Sequence, residues 1–199
     1  MELLQEVDSA TSRSETHALI RALADSDGET YSHSLHVAAI ATAVARRLGM
    51  HGEDLIDVEF GALLHDVGKL CLPRALLSKP GRLTDAERGL IRLHPEWGAS
   101  LVESIPGLES VAAIVRFHHE RPDGRGYPHR LTHAEIPPAA RIVSVCDAYG
   151  AMTKTRPYRP ALLHDAALAE LERHSGTQFD PDAAEALIEH VRTPVRLSA

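Results

Sequence analysis

Apolar positions along this chain recur at three- and four-residue steps, which predicts helices throughout and no convincing strand. Residues 1–14 are polar, rich in Ser and Glu, and read as a frayed start or a short leading helix. A helix follows from Glu15 to Ala24, stopped by Ser26, Asp27 and Gly28. A long helix then begins at about Thr30 or Ser32 and runs to Leu48. It carries Val37, Ile40, Val44 and Leu48 at helical spacing and stops at Gly49. Glu53 to about Val67 gives the next, apolar at Leu55, Ile56, Phe60, Leu63 and Leu64, with Gly68 marking its end. Thr84 caps a helix that opens on Asp85 and Glu87 and reaches about Leu93. Pro95 sits either at that helix's end or in the first turn of another running through Leu101.

Pro106 and Gly107 break the chain again, and Val111 to about Phe117 forms a helix that ends on two adjacent histidines. Residues 120–138 hold four prolines and form the one long loop. Long ordered loops in compact domains are usually functional. Pro138 opens a helix from Ala139 to about Thr153, and a second loop, 154–160, follows it. Leu162 to about His174 is helical and ends at Gly176. Asp180 and Pro181 then cap a last helix to about Val191. The pattern predicts an all-α fold: one helical bundle domain over residues 15–199, of roughly seven to nine helices, after the short segment 1–14.

Composition sharpens this picture. Aromatic residues make up only 4% of the chain against 44% hydrophobic overall, so the core is expected to be Ala, Leu, Val and Ile in close-packed helices. The formal charge of −7 argues against binding a nucleic-acid polymer, while leaving room for a local basic pocket. No stretch approaches the roughly 20 apolar residues that span a bilayer, and the start, MELLQEVDSA, lacks the apolar segment of a signal peptide. Cys71 and Cys146 lie in no CxxC pair. A soluble protein of the reducing cytoplasm, with no membrane partner, is the expectation.

Thirteen histidines in 199 residues direct attention to metals. His33, the pair His65-Asp66, His94, the pair His118-His119 and Asp147 are seven side chains of the type that binds borderline and hard divalent ions. One ion rarely takes seven ligands, so the set points to two or more, and such sites commonly cut phosphate esters. Successive helical residues diverge by about 100°, yet His65 and Asp66 can still converge, because a carboxylate bridges two ions where an imidazole binds one. Lys69 beside such a pair would supply a positive donor to a phosphate oxygen. Asp147 lies in an otherwise apolar helix, where a lone buried carboxylate must be paired, exposed or metal-bound. His36 shares a face with His33 and reads as structural or exposed.

The order H…HD…H…HH…D, with HHERPDGRGYP in the long loop, closely resembles the HD-GYP domain of the HD phosphohydrolase superfamily. The resemblance runs from about Ala18 to Val191 and includes KPGRLT, IPPAARI, RPYR and GTQFDP. It implies a helical phosphodiesterase that hydrolyses cyclic di-GMP to pGpG, GMP or both, by metal-activated hydroxide attack on phosphorus. Two or three divalent ions, iron or manganese, would be held by His33, His65, Asp66, His94, His118, His119 and Asp147. Asp66 would be the bridging ligand and, with Lys69, catalytic. Glu29, four residues before His33, would hold a third ion, unless it serves only as an acid at a helix N-terminus.

The resemblance also makes the loop the place where substrate is read. Gly124 and Gly126 would permit close backbone approach, and Tyr127 would support or stack on guanine, while Pro128 stiffens the turn. Arg121 and Arg125 would meet phosphate or guanine, or else face solvent. Arg156 and Arg159 would tie their loop to the bundle, and GGDEF-type cyclase proteins would be partners through the GYP loop. Two positions depart from the family: DAYGA places Gly150 where relatives often carry a second Asp, and HRLTHAE has Thr132-His133 where they often carry a glycine. Alternative readings are a phosphohydrolase for another cyclic nucleotide or dinucleotide, or a weakly catalytic metal-binding signalling module.

Overall fold

The computed structural model describes residues 10–155 and 160–193. Among them are α1 (Ala10–Ser26), α2 (Gly28–Arg47), α3 (Glu53–Leu64), α4 (Arg74–Leu77), α5 (Asp85–Ile91), α6 (His94–Glu103), α7 (Glu109–Phe117), α8 (Pro138–Thr153), α9 (His164–Arg173) and α10 (Pro181–Arg192). Nine of these have seven residues or more, α4 is a single turn, and short 3₁₀ turns occupy Val67–Cys71 and His133–Glu135. Only isolated bridges, Asp123 with Thr132 and Ser175 with Phe179, represent β pairing among the described residues. The all-α expectation holds. Arg156 and Arg159 lie outside the described residues.

Where boundaries differ from expectation, local chemistry explains them. Asp27 does more than stop α1: its carboxylate accepts from the Glu29 and Thr30 amides at 3.0 and 3.3 Å, so α2 starts at Gly28 and includes Glu29. Helix α1 reaches back to Ala10, so the end of the segment read as a frayed start or a short leading helix is helical and continuous with it. Helix α3 stops at Leu64 rather than near Val67, and Gly68 is no helix terminator. A Cβ on Gly68 would stand 1.9 Å from the His94 carbonyl oxygen, so this glycine lets the 3₁₀ turn lie directly on the start of α6. Pro95 sits in the first turn of α6, where its missing N–H leaves no bond unmade. Thr84 and Glu87 form the full reciprocal capping box of α5.

Two apolar clusters fill the bundle. Val37, Ala41 and Val44 of α2 pack with Val143 of α8, Leu168 and Leu171 of α9 and Leu187 of α10. Leu64, Ala99, Val102, Val111 and Val115 make the second, from α3, α6 and α7. Helix α3 belongs to both, sending Val58 and Ala62 to the first and Phe60 and Leu64 to the second. Its C-terminal end therefore emerges at the seam between the clusters, which is where the histidines meet. No helix among the described residues is long and apolar enough to cross a membrane.

The long loop is fastened to α10 through Asp180. This buried N-cap accepts from the Ala183 amide at 2.9 Å, from Arg141, and from His133 at 2.8 Å. Burial alone would raise its pKa, but the Ala183 and Arg141 hydrogen bonds outweigh that and hold it below the usual 3.8. A carboxylate with a depressed folded pKa stabilises the fold above its unfolded pKa, and that contribution fades as pH falls through the folded value. Asp180→Ala is expected to lower stability by about 2 kcal/mol at neutral pH. The difference from the parent should narrow below pH 3.8, as urea unfolding at stepped pH will show.

Candidate metal centre

Three helix ends converge on the seam. His65 follows the last residue of α3, His118 follows the last residue of α7, and His94 follows α5 by three residues as it opens α6. Each sends Nδ1 to a carbonyl three residues back: His65 to Ala62 at 2.7 Å, His94 to Ile91 at 2.8 Å and His118 to Val115 at 2.7 Å. Carbonyls in the last turn of a helix have no helical donor, so they are available. A carbonyl only accepts, so Nδ1 carries a proton in all three rings and Nε2 points inward. The same three helix C-termini place partial negative charge around the seam, which suits a cation.

The donors form two groups. His94, His118 and His119 offer one atom each within 4.8 Å of one another, and so do His33, His65 and Asp66. Asp66 stands between them, with Oδ1 3.2 Å from His94 Nε2 and Oδ2 3.3 Å from His65 Nε2. Asp147 closes the second group from α8, its Oδ1 lying 2.8 Å from His33 Nε2 and 3.7 Å from His65 Nε2. All seven core residues predicted from the sequence meet here. The donor set fits divalent metal: His65 Nε2 is buried with no hydrogen-bond partner, and His94 Nε2 faces His118 Nε2 at 3.4 Å. With Nδ1 protonated on both of the latter rings, those two lone pairs oppose one another unless a cation lies between them.

Charge is divided across the cluster. Burial would lower His65, but Asp66 and Asp147 outweigh it and raise its pKa to about 9. Burial would raise Asp66, yet Lys69 and His65 hold it well below the carboxylate range. Asp147 is depressed in the same way, chiefly by the hydrogen bond from His33 and the charge of His65. On the other side burial dominates, lowering His118 and taking His119 to about 3, so those imidazoles are neutral. Neutral imidazole and ionised carboxylate are the forms that ligate. Lys69 Nζ donates to Asp66 Oδ2 at 2.6 Å from a partly exposed position at the rim.

The long loop makes its own contacts within the domain. Tyr127 stacks on His119 with centroids 4.7 Å apart, and the Arg92 guanidinium lies 5.2 Å from its ring centre, so this ring supports the His119 imidazole. Gly126 is buried, and a Cβ there would lie 2.5 Å from the Arg121 nitrogen and the Glu120 Cα, so its role is packing within the loop. Arg121 makes a two-pronged pair with Asp123 at 3.0 and 2.7 Å and reaches Gln178 at 3.5 Å, while Arg125 is exposed. Glu29 is exposed in the first turn of α2, one turn before His33.

Two residues in this region escaped the sequence reading. Arg92 carried no signal, since nothing in the chain links it to Tyr127. Glu120 carried a weak one, an acid directly after the paired histidines. It is 2% exposed and accepts the amides of His129, Arg130 and Leu131 at 2.6, 3.0 and 3.0 Å, folding the loop back onto its own start. Glu120→Ala strands three donors, each worth about 1.5–3 kcal/mol when bonded to a charged group. Hydrogen exchange at those three amides is expected to accelerate at least about tenfold, with amides of the α2–α9 core unchanged. Equal protection in parent and variant would contradict this account of the loop.

Comparison with known proteins agrees with this geometry. A family model described as HD domain matches residues 17–183. The chain is 40% identical over 172 residues to the cyclic di-GMP phosphodiesterase response regulator RpfG of Xanthomonas campestris, covering 85% of this chain and 46% of that protein. It is 36% identical over 158 residues to the 3'3'-cGAMP-specific phosphodiesterase 3 of Vibrio cholerae, covering 79% of this chain and 34% of that one. The chain thus spans less than half the length of either relative. Among solved structures, Bd1817, an HDG"Y"P protein from Bdellovibrio bacteriovorus, superposes with a TM-score of 0.68 at 23% identity. It covers 82% of this chain and 52% of the other, a likeness of fold. With its helical bundle, its His65-Asp66 pair among two groups of donors, and the match over residues 17–183, the chain belongs to the HD domain family.

Proposed function

We propose that this chain is a metal-dependent phosphodiesterase of the HD-GYP type that hydrolyses cyclic di-GMP to pGpG, GMP or both. The observation that carries the reading is the pair of donor groups sharing Asp66. His94, His118, His119 and one oxygen of Asp66 would hold one ion. His33, His65, Asp147 and the other oxygen would hold the second. Divalent ions so placed acidify water to hydroxide near neutral pH and polarise a phosphate oxygen. The protein's own contribution is to fix that geometry and to supply charge. Asp66 is locked between His65, His94 and Lys69, and Lys69 at the rim is positioned to neutralise the negative charge that grows on phosphate oxygens as phosphorus is attacked.

Imidazole and carboxylate donors without thiolate suit iron or manganese. Glu29, on the face of α2 one turn before His33, would complete a third ion's site. Cys71 and Cys146 are unpaired, as suits the cytoplasm. The exposed residues Arg125, His129 and Arg130 of the loop would meet a GGDEF-type partner. A second reading, hydrolysis of a mixed cyclic dinucleotide, is supported by the identity to the Vibrio cholerae enzyme named for 3'3'-cGAMP.

Protein purified without oxygen and assayed against cyclic di-GMP and 3'3'-cGAMP, with ions counted on the same sample, tests the reading. Turnover with two or three ions per chain supports it, and the faster substrate decides between the two readings. No turnover of either at full iron or manganese loading would sink it. Asp66→Ala is expected to abolish turnover. Lys69→Ala should lower kcat about 10²-fold while leaving the ion count unchanged, since Lys69 is no metal ligand. Glu29→Ala should reduce a count of three to two.

A further inference from the structure

His94, His118 and His119 bring one donor atom each within 4.8 Å of one another, but their rings are held in different ways. His94 and His118 send Nδ1 to the carbonyls of Ile91 and Val115. The His119 ring makes no hydrogen bond among the described residues, and ring contacts set its place. It lies against His118 with centroids 4.0 Å apart, and it stacks on Tyr127 at 4.7 Å with 29° between the planes. The Tyr127 amide also donates to the His119 carbonyl at 3.2 Å, so these two residues are joined at backbone and ring. Over the Tyr127 ring, 5.2 Å from its centre, lies the Arg92 guanidinium.

Arg92 is the C-cap residue of α5. This helix has no buried residue, and the bonds of Glu87 to Lys79 and of Arg88 to the Leu83 carbonyl tie it to the turn before it. Its last turn is where it meets the centre. There the Ile91 carbonyl takes the Nδ1 proton of His94, and the next residue, Arg92, lies over Tyr127. Arg92 is exposed, and no carboxylate among the described residues pairs with it, so the face of its guanidinium is left to the ring.

We infer that Arg92 is a positioning residue for the ligand His119, acting through Tyr127, so that two adjacent residues at the end of α5 orient two ligands of one ion. This rests on the reading of the cluster as a metal centre and adds to it the element that holds His119. A cation over an aromatic face is drawn to the negative face of the ring, and an imidazole stacked on that ring shares the restraint. Groups that orient a ligand without touching the ion tune how well it binds, and their loss weakens binding without removing a donor.

Two measurements test this without substrate. Chelator-treated protein is titrated with Mn(II) alone, free ion being read from its electron paramagnetic resonance signal. Protein loaded with Co(II) is examined by proton resonance, where ligand histidine rings give strongly shifted signals, and His119→Ala identifies those of His119 by their loss. Arg92→Gln should weaken Mn(II) binding about two- to fivefold, as loss of one exposed cation–π contact implies. It should also move the His119 signals while those of His33 stay in place. Arg92→Lys keeps a cation and should restore most of both. In a Tyr127→Leu background, Arg92→Gln should change neither. With cyclic di-GMP, Arg92→Gln should lower kcat and leave KM unchanged. Parental Mn(II) affinity and parental His119 signals in Arg92→Gln would overturn the proposal, as would an equal loss in the Tyr127→Leu background. A raised KM with kcat and Mn(II) affinity intact would also overturn it, making Arg92 a substrate contact. The Arg92 variants decide the point even if Tyr127→Leu fails to fold. No Mn(II) binding by the parent would overturn the metal reading itself and this proposal with it, and is distinguishable because every other outcome has metal bound.

Discussion

The centre depends on one hydrogen bond made three times, from an imidazole Nδ1–H to a carbonyl in the last turn of a helix. Each bond meets a need on both sides. The helix end has acceptors that its own ladder cannot satisfy, and the imidazole must be held in one tautomer if Nε2 is to point a lone pair at a cation. Because His65, His94 and His118 each lie just beyond a helix terminus, the directions in which α3, α5 and α7 run determine where three ligand nitrogens converge. Packing of the apolar clusters sets the directions of α3 and α7, so core residues such as Leu64 and Val115 position the chemistry without touching it.

Much of the centre was legible because residue type alone restricts what it can do. Adjacent histidines beside a glycine-rich loop, and an aspartate in an apolar helix, have few uses other than ligation, and all seven such residues meet at the seam. Most helices were legible from their caps, as with Thr84 and Asp180. What could not be read depends on which distant backbones touch. Gly68 looks like a terminator in the sequence, yet its purpose is close approach: any Cβ there would collide with the His94 carbonyl. The stack of Tyr127 on His119 joins the loop to the cluster in a way no spacing announces. Periodicity also could not place the end of α3, since Val67 remains in the apolar register while the chain has already tightened into a 3₁₀ turn.

The loop shows the same division. Its composition drew attention to the segment, but its order comes from three acids. Glu120 gathers three consecutive amides, Asp123 gathers Arg121 and the Arg125 amide, and Asp180 joins the far end to α10. A segment so bonded resembles a wall more than a lid. A ligand that met it would find the wall already formed and would lose little affinity to ordering it.

The position of the centre at the seam carries a consequence for the lifetime of the protein. Its donors come from α2, α6, α8 and the turns after α3 and α7, so an ion there joins elements that otherwise meet through two separate apolar clusters. Whatever binds the folded state and not the unfolded one shifts the balance by mass action, and imidazoles scattered across more than a hundred residues of unfolded chain offer no comparable site. Metal supply and persistence of the folded chain would thereby be linked: an ion held by these donors would also fasten the helices around the seam, and its scarcity would leave the chain more open to proteolysis.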